Sequence, residues 1–304
     1  LGVAYATTGD KYKPFSPVFK ALGVEIDLSA VTERLSFRHT PERKAELVAA
    51  LDGFLQSGRM SANEAESLKG RLQWFDSFVF GRSASLALHI LGSKCVRGSS
   101  SNSVDHELRR ALTFLREYIY SAKPLVLSPA VGRTFLIFTH GACEGDTHKV
   151  GTVGGVLADS SGRCLSYFGA TVPLNFMRRL LSHSANPIFE LELLGVLCAF
   201  KIWGERIQDC FTVCFIDNEA ARHSLISASA RTVHGRMIVS ACLRLEDIHS
   251  LRPWYSRVPT ASNIADPPIR LEFDEMRQLG AEFEEVPWGP LTSCFESTLR
   301  SLVG

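Results

Sequence analysis

The chain has 304 residues, 45% apolar and 21% charged, with 33 Lys and Arg against 32 Asp and Glu. That length holds roughly two domains, and that composition excludes a disordered or low-complexity chain. No apolar run approaches the roughly 18–20 residues of a membrane-crossing helix, so no membrane partner is expected.

The charge is uneven. Residues 1–130 carry 17 Lys and Arg against 13 Asp and Glu, and the rest carry 16 against 19. A mildly basic first half is compatible with a nucleic-acid partner without requiring one. The N-terminus lacks the basic-then-apolar layout of a signal peptide. It begins with Leu in mid-pattern, as expected of a piece of a longer polyprotein. The eight cysteines form no CxxC pair, and several lie in apolar runs. They read as reduced, buried thiols of a cytoplasmic or nuclear protein, with a zinc site as the minor alternative.

In chain order, "FSPVFKALGVEIDL" alternates loosely around Gly23 and predicts a short hairpin or edge strand. "HTPERKAELVAALDGFLQSG" predicts a helix. Thr40 caps it, Pro41 suits its first turn, Leu47, Leu51, Phe54 and Leu55 form its apolar stripe, and Gly58 ends it. Ser61 and Glu64 form a capping box that opens a second helix, expected to run on through Phe78 and Phe80 towards Leu91. "VRGSSSNS" reads as a linker, a third helix is expected from residue 104 to 120, and "SAKPLVLSPAVG" reads as a connector.

From Arg133 the pattern changes. "TFLIFTH", "GTVGGVLAD" and "RCLSYFGATV" predict three antiparallel strands. "PIFELELLGVLCAFKIWGERI" has helical spacing, "FTVCFIDN" is a buried strand, a helical stretch covers 230–249, and "RPWYSRV" is a further strand. Three strands followed by alternating helices and strands predict a mixed sheet with helices against its faces.

Three acids stand at element ends: Glu192 in the first turns of a helix, Asp217 at the end of a strand, and Asp266 after the last strand. Such positions let side chains from separate segments converge. Hard divalent cations want oxygen ligands, and paired metals activate water and stabilise a leaving oxygen in phosphodiester cleavage. Each acid also has a plainer use. Asp217-Asn218 could cap a helix, Asp266 before two prolines could start a turn, and either Glu190 or Glu192 could be solvated.

Four motifs in order resemble the ribonuclease H domain of retroelement reverse transcriptases. "FTHGACEG" is similar to that family's first strand, "ELLGVLCAF" to its helix beginning on Glu192, and "FIDNEAA" to its strand end. "RVPTASNIADPPIR" is similar to the retrotransposon signature that ends the domain. Upstream, "PFSPVFKALGVEIDLS" and the helical segment from Thr40 to Arg82 resemble the end of the palm and the thumb, nearest the tyrosine-recombinase class.

The resemblance implies an α/β fold: a ribonuclease H-like mixed five-stranded sheet with flanking helices, preceded by a mainly helical thumb-like region. The organisation it implies is palm end and thumb over 1–95, linker and connecting helix over 96–130, ribonuclease H-like domain over 131–270, and a C-terminal flank over 271–304. It implies Mg²⁺, with Mn²⁺ as a substitute, held by Glu192, Asp217 and Asp266. The implied partners are an RNA–DNA hybrid and polymerase domains missing from this chain, including the polymerase active site.

The sequence departs from the pattern at His140, where the family has an aspartate that bridges both metals. A neutral imidazole offers one nitrogen and no negative charge, so weakened metal binding and impaired cleavage are expected. His140 reads either as a lesion in a decaying element or as a change to a non-cleaving binder or structural connection. Lys69, Arg71 and Arg82 on or after the second helix, Arg178 and Arg179 in a loop, and Arg231 and Arg236 opening a later helix are the candidate backbone contacts.

Overall fold

The computed structural model describes residues 16–96, 102–128, 133–145 and 148–293. Strands β1 (Val18–Ala21) and β2 (Val24–Asp27) form a hairpin. Its two turn residues, Leu22 and Gly23, have φ of 52° and 80°. That turn type matches the right-handed strand twist, and glycine adopts it without a Cβ penalty. β3 (Leu35–His39) and β4 (Leu125–Leu127) complete an antiparallel sheet in the order β1-β2-β3-β4.

Helix α1 (Pro41–Ser57) begins where Thr40 Oγ accepts from Arg43 N and stops at Gly58 with φ of 63°. Helix α2 (Ala62–Asp76) opens on the reciprocal Ser61–Glu64 capping box. It does not run on to Leu91. The Phe80 N–H bonds to Lys123 O, and Gly81 turns the chain at φ of 93°. Helix α3 (Ser85–Val96) then begins afresh. Helix α4 (His106–Ser121) is capped by Asp105.

Leu108, Leu112, Leu115 and Ile119 of α4 are buried with Leu47, Leu51, Leu72, Phe75 and Leu91 in one core. The connecting helix expected within 96–130 is α4, and it packs into this bundle. An apolar stripe repeating every three to four residues needs a partner, and α4 finds it in the bundle. β4 then returns to the first sheet, so the first domain extends to residue 128.

In the second domain, β5 (Thr134–Glu144), β6 (Val150–Asp159) and β7 (Cys164–Thr171) are antiparallel. Then come helices α5 (Leu174–Leu181) and α6 (Ile188–Trp203), strand β8 (Phe211–Ile216), helices α7 (Glu219–Ser227) and α8 (Val233–Ile248), and strand β9 (Arg252–Arg257). β8 lies parallel to β5, and β9 parallel to β8. Short helices α9 (Asp266–Ile269) and α10 (Asp274–Gln278) lead to β10 (Glu282–Phe283), which pairs parallel with β7.

The sheet order is β10-β7-β6-β5-β8-β9. The domain is thus a mixed α/β unit with flanking helices, and it has six strands where the resemblance implied five. The sixth comes from the C-terminal flank. Met276 of α10 packs with Val156 and Tyr167, and Leu291 joins the main core. α6 is buried along nearly its whole length between the sheet and α8, as expected of a helix apolar on all sides. Arg178 and Arg179 lie in α5 rather than in a loop, because Phe176, Met177 and Leu180 give that segment a buried helical face.

Among the described residues no helix is long and apolar enough to cross a membrane. The seven described cysteines are all free, three of them buried, and Cys294 lies outside the described residues.

Candidate metal site and nucleic-acid face

The site is built where the ends of β5 and β8 meet the start of α6. Parallel pairing of Phe138 with Phe215 sets the ends of the two strands level, so His140 and Asp217 emerge side by side. Gly141 follows His140. A Cβ there would lie 2.5 Å from the Leu191 carbonyl carbon and 2.7 Å from the Glu192 nitrogen. β5 and α6 therefore touch backbone to backbone, a contact only glycine permits, and Glu192 reaches the strand. Glu190 points elsewhere and accepts from the Thr232 hydroxyl at 2.7 Å.

Asn218 caps α7 by accepting from Ala221 N, so Asp217 is not needed as the cap. Asp266 is held from two sides. The buried Asn263 amide donates to Thr139 O at 3.0 Å, and its carbonyl oxygen accepts from Ala265 N at 3.1 Å. Pro268 and Ile269 of α9 lie directly on Gly154 and Gly169, where any side chain would collide with them. Asn263 stood within the quoted signature but was not singled out as a site residue. Its signal was an amide three positions before Asp266.

His140 sits among the acids. Its Nδ1 is 2.9 Å from Glu192 Oε1 and 3.4 Å from Asp217 Oδ2, and its Nε2 is 3.9 Å from Asp266 Oδ1. The His140, Glu192 and Asp217 side chains are 12%, 3% and 6% exposed. Burial alone would lower the imidazole's pKa. The hydrogen bonds and charges of Asp217 and Glu192 overcome it and lift His140 to about 10. Burial raises Glu192 to about 7 against the pull of His140. For Asp217 burial also works upward, but the His140 bond prevails and holds it below the ordinary carboxylate value. The directions of these shifts favour a protonated His140 ring beside an ionised Asp217, with Glu192 sharing the ring's Nδ1.

Glu192 Oε2 and Asp217 Oδ1 are buried without a hydrogen-bond partner. Asp266 is tied to Arg270 at 3.1 Å. His140, Glu192 and Asp217 could present one ligand atom each within 4.8 Å. Two carboxylate oxygens are thus unpartnered, but the imidazole between them is bonded to both acids and the third carboxylate is shared with an arginine. Mg²⁺ demands a near-octahedral oxygen set. The residues present do not fit a pair of hard cations.

The basic candidates separate. Arg231 and Arg236 line a groove of about 1030 Å³ beside Asn218, together with His89, Asn186 and His223. Arg178 is exposed on α5, and Arg179 is half-buried beside it. In the first domain two of the three candidates already have protein partners. Arg71 pairs with Glu46 at 2.7 Å. Arg82 has all three guanidinium nitrogens committed to Glu246 and to the Leu225 and Ile226 carbonyls, so it faces the second domain and not a phosphate. Lys69 is half-buried and lies against Gly92 of α3.

No family model matches the chain, and no curated protein matches it. Solved structures similar to it include RNase H1 from the halophilic archaeon Halobacterium salinarum NRC-1. That match is 19% identical with a TM-score of 0.37, over 47% of this chain and 98% of the other. The N-terminal RNase H domain of rv2228c from Mycobacterium tuberculosis is 14% identical with a TM-score of 0.38, over 49% and 100%. The foamy viral protease-reverse transcriptase in complex with RNA/DNA hybrid is 11% identical with a TM-score of 0.33, over 85% and 53%. Likeness at this level assigns no activity to the chain.

Proposed function

We propose that this chain is part of a retroelement reverse transcriptase, nearest the tyrosine-recombinase class, and works inside the cell beside polymerase domains. Its second domain is a ribonuclease H-like unit descended from a Mg²⁺-dependent nuclease that cuts RNA in RNA–DNA hybrids. Mg²⁺ or Mn²⁺ binding is weakened and cleavage impaired. The observation that carries this reading is His140 between Glu192 and Asp217, with Asp266 3.9 Å from the ring's other nitrogen. A protonated imidazole supplies the positive charge that these carboxylates would otherwise take from a metal. When bound, a divalent ion would polarise a phosphate oxygen and lower the pKa of a water. The chain's own residues hold a proton there instead.

A second reading is favoured by the groove beside Asn218, whose Arg231 and Arg236 remain available for binding when cleavage is lost. In that reading the domain is a hybrid-binding remnant, and phosphate and 2′-OH contacts outlast the chemistry.

The test is cleavage of a labelled RNA–DNA hybrid in Mg²⁺ and in Mn²⁺ by the natural chain and by His140→Asp. Cleavage by the aspartate variant alone supports the impaired-nuclease reading. Equal cleavage by both removes it. Salt-sensitive hybrid binding with no cleavage by either leaves the binding reading standing alone.

A further inference from the structure

Glu246 of α8 is a buried carboxylate far from the acidic cluster in function, and its counter-cation comes from the other domain. Arg82, in the turn between α2 and α3, donates from Nη2 to Glu246 Oε1 at 2.8 Å and from Nε to Oε2 at 3.1 Å. Its Nη1 donates to Leu225 O and Ile226 O at 2.9 and 3.1 Å, near the C-terminal end of α7. The Tyr255 hydroxyl on β9 donates to Glu246 Oε1 at 2.6 Å. Burial pushes the Glu246 carboxyl up, and Arg82 and Tyr255 pull it back. Among the described residues no other cation pairs with it.

The rest of the joint is equally specific. Arg82 N donates to Asp247 Oδ1 at 3.2 Å. A Cβ at Gly81 would overlap the Asp247 carboxylate, so the turn can approach only because residue 81 is glycine. Lys123 Nζ donates to Asp247 O at 2.6 Å and Ile248 O at 3.1 Å, carbonyls at the end of α8, where a cation also suits the helix dipole. Arg252 Nη2 donates to Val126 O at 2.7 Å, and its guanidinium lies 5.7 Å from the ring centres of both Phe80 and Phe211. The docked arrangement also puts His89 of α3 into the wall of the groove that holds Asn218 and Arg236.

We infer that the two domains form one cooperative unit, in which the second domain carries a buried carboxylate socket and the first supplies the cation that fills it. The thumb-like bundle is thereby fixed against the C-terminal ends of α7 and α8. The groove wall at His89 exists only in the docked state. This inference needs no nuclease activity and no nucleic acid.

Removing one partner of a buried ion pair strands a bare charge, whereas replacing both with apolar groups is often neutral. That asymmetry gives the test. Scanning calorimetry of the full chain should show one transition for the natural protein. Arg82→Met should lower the folding equilibrium constant by at least ~100-fold, or separate the trace into two transitions. Arg82→Met/Glu246→Leu, carrying Tyr255→Phe so that the hydroxyl on Glu246 is not stranded, should recover the single transition, to within ~10-fold of the natural protein. If Arg82→Met cannot be obtained folded, the combined variant decides. Recovery supports the socket, and failure overturns it, because Arg82 would then matter for a reason other than the Glu246 charge. Two independent transitions in the natural chain, or an Arg82→Met trace matching the natural one, would also overturn it.

Discussion

Replacing His140 by aspartate should convert a metal-independent fold into a metal-dependent one. The imidazole is raised from its ordinary 6.5 to about 10. A group raised in this way contributes stability in full below pH 6.5 and loses it as pH climbs through about 10. At pH 7 nearly all of that contribution is present. At about 1.4 kcal/mol per tenfold, the shift corresponds to roughly 5 kcal/mol of favourable charge interaction as an upper figure. Aspartate removes that and adds a third negative charge beside Glu192, already raised to about 7, and Asp217. A net loss of about 3–5 kcal/mol is expected, as for other broken buried pairs. For a chain of this size that lowers the melting temperature by roughly 6–20 °C. The assay is thermal unfolding at pH 7 in chelator and then in millimolar Mg²⁺. Mg²⁺ at about 100 times its dissociation constant would return about 2.7 kcal/mol to the variant. The natural chain should melt at one temperature in both buffers. Identical melting of the two proteins in chelator, or an equal Mg²⁺ gain in both, would refute the reasoning.

Three further outcomes are expected. Asn263→Ala removes the amide that bonds Thr139 O and strands that buried carbonyl, so urea unfolding should show a loss of about 1–3 kcal/mol. Within a His140→Asp background, the same change should also lower hybrid cleavage, because Asp266 loses its tether. Arg231→Gln and Arg236→Gln should each reduce the log–log salt slope of hybrid binding by about 1, while Arg71→Gln, whose charge is already paired with Glu46, should leave it unchanged. His39 is buried, with Nε2 at 2.7 Å from Phe75 O, and burial lowers its pKa. The folded state therefore prefers the neutral ring. Its contribution holds above pH 6.5 and falls away as pH drops, with a slope of up to about 1.4 kcal/mol per pH unit. Urea midpoints at pH 7.5 and 5, compared with His39→Asn, check the sign.

Local signals in the sequence carried much of the fold. Thr40, Gly58 and the Ser61–Glu64 box mark helix ends because their side chains or backbone satisfy end groups within a few residues. The strands of the second sheet were legible as short apolar or alternating runs between turn signals, with β8 read as a buried strand. What stayed hidden depends on contacts distant in sequence. α2 stops at Asp76 because Phe80 pairs with Lys123, and α4 belongs to the bundle because its stripe meets α1 and α3. β10 is two residues long and has no period of its own. In the site, the four positions named from motif order lie together; Arg270 on Asp266 is an i,i+4 pair, whereas Asn263 on Thr139 spans 124 residues and no spacing announces it. Arg82 read as a surface cation because a single sequence does not reveal that a carboxylate waits 164 residues away.

The most direct measurement is Mn²⁺ binding, followed by electron paramagnetic resonance at pH 7.5, in the natural chain and in His140→Asp. If the imidazolium of His140 occupies the place of a cation's charge, the variant binds Mn²⁺ at least ~100-fold more tightly, about 2.7 kcal/mol. Equal affinity in the two proteins would contradict the account, since the carboxylates would then hold the ion without regard to the residue between them.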